Sequence, residues 1–181
     1  MPRNWEEHFS DPAHLDFTPA PLLVEVADLI PPGRALDVAC GAGRNALYLA
    51  SLGWQVTAVD SSPAAIRILR QRGAGLTIEA ELADLEAGQF RIVPAAYDLI
   101  LDFYYLQRDL FPPIRAGIRP GGIFAGAIHV LDGASAGHNP DYLLQPGELR
   151  RHFADWKILY YSESAESNRN RTSARILARR A

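Results

Sequence analysis

Short apolar runs alternate along the chain with stretches whose apolar residues recur at helical spacing. Leu22 to Ile30 repeats at helical spacing and stops at Pro31-Pro32-Gly33. Ala35 to Ala39 predicts a first strand, and Ala46, Leu47, Leu49, Ala50 and Leu52 predict a helix that ends at Gly53. Gln55 to Val59 predicts a second strand. Ser62 followed by Pro63 reads as an N-cap with proline at the first helical position. That helix runs to about Arg72, with Ile66 and Leu69 inward, and Gly73 to Gly75 ends it. Further strands are expected within Leu76 to Leu82, over Tyr97 to Phe103, and over Gly122 to Val130 after a Pro-Gly-Gly turn. Gln107 to Ile118 predicts a helix made irregular by Pro112 and Pro113, and Pro146 with Glu148 opens a last helix ending near Asp155. Trp156 to Tyr161 and Ser173 to Arg179 predict an antiparallel hairpin across a polar 162–172 loop. The alternation implies a doubly wound α/β fold, a mostly parallel seven-stranded sheet with an antiparallel C-terminal edge hairpin.

Composition keeps this picture and narrows the partners. A chain of 181 residues with 48% hydrophobic content fits one globular domain, expected over residues 1–181. A net charge of −3 argues against binding a phosphate backbone, which wants a basic face. Arg169, Arg171, Arg175, Arg179 and Arg180 form the only basic concentration and read as a solvated hairpin. Met1 to Glu6 lacks the apolar centre of a secretion signal, and no apolar run approaches a membrane span. A cytoplasmic monomer or homodimer is expected, with no nucleic-acid or membrane partner. Cys40 is the lone cysteine, which suits a reducing compartment. Beside a helix start it could serve as a nucleophile, although a packing role fits better.

Candidate chemistry concentrates in residues 35–46. The strand breaks at Gly41 and Gly43 and a helix follows at once, an arrangement that brings backbone N–H groups close to an anion. Asp60 ends the next strand, where a carboxylate can grip ribose hydroxyls. A nucleoside-containing cofactor is implied. The spacing of Gly41, Gly43 and Ala46 also matches a dinucleotide fingerprint, but Asp37 stands inside the first strand, where such a site wants apolar residues. A buried carboxylate there needs a cationic or donor partner.

Leu36-Asp37-Val38-Ala39-Cys40-Gly41-Ala42-Gly43-Arg44-Asn45 resembles motif I of class I S-adenosylmethionine-dependent methyltransferases, whose fold is Rossmann-like. The likeness continues through Val59-Asp60-Ser61-Ser62-Pro63, Ala83-Asp84-Leu85, Tyr97-Asp98-Leu99-Ile100 and Arg119-Pro120-Gly121-Gly122, in family order over roughly residues 20–161. The wording at Arg44-Asn45 is similar to the tellurite-resistance and thiopurine branch that methylates small molecules. Ala39 departs from the pattern, standing where many members carry the first glycine.

The resemblance implies S-adenosylmethionine as cofactor and a small-molecule acceptor: a thiol, a chalcogen oxyanion or a small metabolite. The cofactor's carboxylate would rest on the Gly41–Arg44 amides beside Asn45. Its ammonium would meet Asp37 or the carbonyls of Ala39 and Asp102, and its ribose would meet Asp60 beside Ser61 and Ser62. Asp84 and the Leu85 amide would read the adenine, with Phe103 nearby. The competing reading of Asp84 is a helix N-cap. His129, at the end of strand five, is the candidate general base, or else a structural histidine. Trp5, Phe17, Tyr104, Tyr105 and His138 are candidate walls of an acceptor pocket, with residues 1–20 as a lid. No histidine pair has metal-ligand spacing, so no metal is expected. A non-catalytic binder of S-adenosylmethionine or S-adenosylhomocysteine, and more remotely an NAD-dependent oxidoreductase, are the competing readings.

Overall fold

The computed structural model describes residues 5–132, 139–166 and 169–181. Its seven strands are assigned to one mixed sheet in the order β3-β2-β1-β4-β5-β7-β6. Its contacts divide into two compact units, Met1–Arg91 and Ile92–Ala181.

In the first unit, β1 (Arg34–Val38), β2 (Gln55–Asp60) and β3 (Ile78–Leu82) pair in parallel. Leu36, Val38, Val56, Ala58 and Val59 are buried, as both faces of a helix-covered parallel sheet require. The helices are α1 (Trp5–Ser10), α2 (Pro21–Ala27), α3 (Arg44–Ser51) and α4 (Pro63–Arg72), with a 3-10 turn at Pro12–His14. α3 buries Ala46, Leu49 and Ala50, and α4 buries Ala64, Ala65, Ile66 and Leu69. Gly43 opens α3 with φ +86°, and a Cβ there would stand 2.3 Å from Leu69 Cδ1. That glycine therefore sets how closely α3 approaches α4. Ser62 caps α4 as the sequence predicts, its hydroxyl accepting from the Ala65 amide at 3.2 Å.

In the second unit, β4 (Tyr97–Phe103) pairs in parallel with β5 (Ile118–His129), and β5 pairs antiparallel with β7 (Arg169–Arg179), which pairs antiparallel with β6 (Lys157–Glu166). Leu99, Ile100, Leu101, Ile123 and Phe124 fill its core, where Phe124 stacks on Phe153 at 4.4 Å. α5 (Phe111–Gly117) and α6 (Glu148–His152) complete it.

Several boundaries differ from the sequence pattern for identifiable reasons. Pro120-Gly121-Gly122 does not precede β5 but lies within it. The register jumps from Tyr97↔Ile118 to Leu99↔Ile123, and Gly121 takes φ +81° in the resulting bulge. The irregular 107–118 helix resolves into a 3-10 turn (Arg108–Leu110) and a regular α5, with Pro112 and Pro113 in its first turn, where a missing N–H loses nothing. α6 ends at His152, short of Asp155. Most of the predicted 162–172 loop is strand. Ser164 there is exposed and accepts across the antiparallel pair from Arg175 at 2.5 Å, so a polar composition hides the strand. Among the described residues no helix is long and apolar enough to cross a membrane.

Candidate functional site

At the carboxyl end of β1 the chain turns through three left-handed residues, Ala39 (φ +50°), Gly41 (φ +57°) and Gly43 (φ +86°). Asp60, closing β2, holds this loop in place. Its Oδ2 accepts from the Gly41 amide at 2.8 Å and its Oδ1 from the Ser62 amide at 2.9 Å. Burial pushes the Asp60 carboxyl above its ordinary value, and the Ser62, Gly41 and Ser61 amides only partly oppose this. The Gly43 amide is spent within the loop as well, on the Cys40 carbonyl at 3.0 Å.

Beneath the loop lies Asp37, only 2% exposed. Desolvation pushes its carboxyl up to about 7, against the opposing charge of Arg44 and the Ala46 amide. Its Oδ2 is buried with no hydrogen-bond partner. An acceptor left so deep asks for a cationic donor. This atom is the test of whether the loop suits the ammonium end of an amino-acid-bearing cofactor, and it fits.

The remaining first-unit candidates are placed as follows. Ser61 is exposed, and Ser62 is buried in its capping role. Asn45 is buried and its Oδ1 accepts from the Ala20 amide at 2.9 Å, so its side chain ties the N-terminal segment to α3. Asp84 caps a turn, accepting from the Ala87 amide at 3.1 Å, with Leu85 buried beside it. Cys40 is buried, and burial followed by the charges of Asp37 and Asp60 keeps its thiol protonated. That disposes of the nucleophile reading.

The N-terminal segment crosses this loop. A Cβ on Gly41 would stand 2.8 Å from Phe9 Cζ, and Trp5 stacks on Phe9 at 6.0 Å. Phe17 is not beside them: it lies under the guanidinium of Arg72, 3.6 Å from the ring centroid, where α4 ends. Glu6 accepts from the Ser62 hydroxyl at 2.6 Å and from the Ala64 amide at 2.9 Å. Nothing local in the sequence marks Glu6, because its partners lie more than fifty positions away.

In the second unit Asp102 is buried at the end of β4, followed by Phe103. Tyr104 then takes φ +67°, a strained conformation for a bulky side chain, and its amide donates to the Ala127 carbonyl at 2.7 Å. Its ring lies 5.0 Å from that of His129. His129 Nδ1 is 3.0 Å from the hydroxyl of Ser173, its fully buried register partner on β7. Ser173 escaped the sequence pattern because it looks like one more strand residue. Tyr105 donates its hydroxyl to Gln107 Oε1 at 2.7 Å. His138 lies outside the described residues. Among the described residues no group of three or more metal-ligating side chains occurs, and His8 and His14 simply stack at 4.8 Å.

The model of a family described as tellurite resistance protein TehB matches residues 4–176. The chain is 34% identical to a protein named hemagglutinin 1 of Eikenella corrodens, over 77% of this chain and 49% of that protein. It is 29% identical to a probable S-adenosyl-L-methionine-dependent methyltransferase TehB of Haemophilus influenzae, over 78% of this chain and 52% of the relative. The crystal structure of TehB from Haemophilus influenzae superposes with a TM-score of 0.76 at 27% identity, over 88% of this chain and 61% of that one. The chain thus spans about half the length of the curated relatives it matches.

Proposed function

Because the chain belongs to the tellurite resistance protein TehB family, we propose that it is an S-adenosylmethionine-dependent methyltransferase acting on a small-molecule acceptor. The family match runs through both compact units, which supports reading them as one catalytic domain. The observation that carries the proposal is the buried, partnerless Oδ2 of Asp37 under a loop clamped by Asp60.

When bound, S-adenosylmethionine supplies a methyl group already activated by its sulfonium, so the protein's work is placement and exclusion of water. Asp37 would hold the cofactor's ammonium and be kept ionised by it. The Gly41 and Gly43 amides are committed within the loop, so the cofactor's carboxylate falls to the amides opening α3 and to Arg44. Asp60 keeps a second lone pair on each oxygen beyond its two backbone bonds, enough to accept from a ribose diol. Asp84 and Leu85 would face the adenine.

On the acceptor side, Tyr104 and Tyr105 would shape the pocket, and His129 would take a proton where the acceptor carries one. The Ser173 hydroxyl fixes the orientation of the imidazole. A thiol, selenite or tellurite fits this arrangement because a soft nucleophile needs little base assistance.

The decisive experiment titrates the protein calorimetrically with S-adenosylmethionine, S-adenosylhomocysteine and NAD, then screens tellurite, selenite and thiols for turnover. Micromolar binding of the first two alone, with turnover of at least one acceptor, is the expected result. Binding without turnover favours a non-catalytic binder, and NAD binding alone overturns the proposal. His129→Ala should remove the acidic limb from the pH–rate profile with a protic acceptor and leave it unchanged with tellurite.

A further inference from the structure

α1 is six residues long and buries none of them. So short a helix has no stability of its own in water, and its position must come from specific contacts. On one side these are the bonds of Glu6. Its Oε2 accepts at once from the Ser62 hydroxyl, at 2.6 Å, and from the Ala64 amide, at 2.9 Å. Ser62 itself is the N-cap of α4, so Glu6 brings from a distant segment a carboxylate onto a free amide of that helix's first turn, at its positive end. The Ser62 hydroxyl, the Ala64 amide and the Arg67 charge hold the Glu6 carboxyl below its ordinary value.

One turn further along α1, Phe9 rests on Gly41. Beyond α1 the segment is pinned again, by Asp16 on Arg44 at 3.8 Å and by the Ala20 amide on Asn45 at 2.9 Å. The segment is therefore a strap. Its far end is fixed at the start of α3, and its near end is fixed through Glu6 at the start of α4.

We propose that Glu6 is a positioning residue, the latch that holds Phe9 over the glycine loop and thereby sets how fast a ligand leaves that loop. The inference rests on reading the loop as the S-adenosylmethionine site, and its test separates the two claims. Glu6→Ala loses both bonds, whereas Glu6→Gln keeps a carbonyl oxygen that can accept them.

Hydrogen–deuterium exchange on the full, ligand-free chain reads the latch alone. The amides of 5–14 should exchange at least tenfold faster in Glu6→Ala and be largely rescued in Glu6→Gln, with β1 and β2 unchanged. Equal exchange in all three proteins overturns the latch. Faster exchange throughout the first unit means Glu6 merely supports the fold, and overturns the positioning role. Stopped-flow displacement of S-adenosylhomocysteine reads the consequence. Its dissociation should be at least fivefold faster in Glu6→Ala and near wild type in Glu6→Gln. An unchanged rate with a loosened α1 overturns the control of release. Failure of the wild-type protein to bind S-adenosylhomocysteine would instead overturn the cofactor reading and the release claim with it, while exchange still decides the latch.

Discussion

In the proposed cofactor site, Asp37 is where folding and binding are most directly opposed. A carboxyl moved from its ordinary 3.8 to about 7 costs the ionised fold about 4 kcal/mol. Asp37→Asn removes that cost while keeping the shape. It should raise the melting temperature of the ligand-free protein at pH 8 and weaken S-adenosylmethionine binding at least tenfold, measured by thermal melts and calorimetry. A variant that is both less stable and fully binding would contradict the assignment. Asp60 behaves differently because both of its oxygens serve the backbone. Asp60→Ala leaves the Gly41 and Ser62 amides without acceptors, and a loss of about 2–3 kcal/mol in denaturant stability is expected, together with weaker cofactor binding.

Among the elements, the packing of α3 on α4 turns on one missing side chain. Gly43→Ala places a methyl 2.3 Å from Leu69 Cδ1 in a left-handed backbone. It should cost about 2–3 kcal/mol, the strain of the backbone plus the overpacking. Trimming Leu69 to Ala in the same chain relieves only the contact, so a double-mutant cycle should show positive coupling. The elements themselves were legible to differing degrees. β4 and α4 fall where the sequence puts them, because Leu99-Ile100-Leu101 forms an apolar centre between Asp98 and Asp102 and Ser62-Pro63 is a local start signal. The clamp of Asp60 on Gly41 was legible only as a carboxylate at a strand end, since its partner lies nineteen positions away. α1 was not legible at all as a helix. Its only apolar pattern is the single Trp5–Phe9 pair, too short to read as a helix, and its tie to α4 comes from Glu6. The hairpin was underestimated because polar strands on a solvated antiparallel pair look like loop.

For the whole molecule, the titrating groups pull in two directions. In the folded state Asp37 keeps a proton that the unfolded chain has already released. Stability therefore falls as pH rises from the ordinary carboxylate range to about 7. Glu148 is the opposite case. Burial raises it, but hydrogen bonds from Arg108 and the Gln145 amide hold it below its ordinary value. Asp155, bonded to Arg115, is also lowered. Their contribution is present above the ordinary glutamate and aspartate values and is lost on acidification. The ligand-free protein should melt highest near pH 5 and several degrees lower at pH 8. On the proposed binding mode, saturating S-adenosylmethionine should flatten that decline by pairing with the ionised Asp37. Melting curves across this range, with and without ligand, check both statements.

Ala39, Ala95 and Tyr104 all sit in left-handed backbone without being glycine. Each holds a reserve of stability that a single substitution could release. Ala95→Gly should recover about 0.5–1 kcal/mol, the relieved strain less the added freedom of the unfolded chain. Such a margin matters less for the protein as it stands than for what it can become. A scaffold in which Ala95→Gly has released that strain could absorb one more destabilising change around Tyr104 and His129, the proposed acceptor side, without losing its fold.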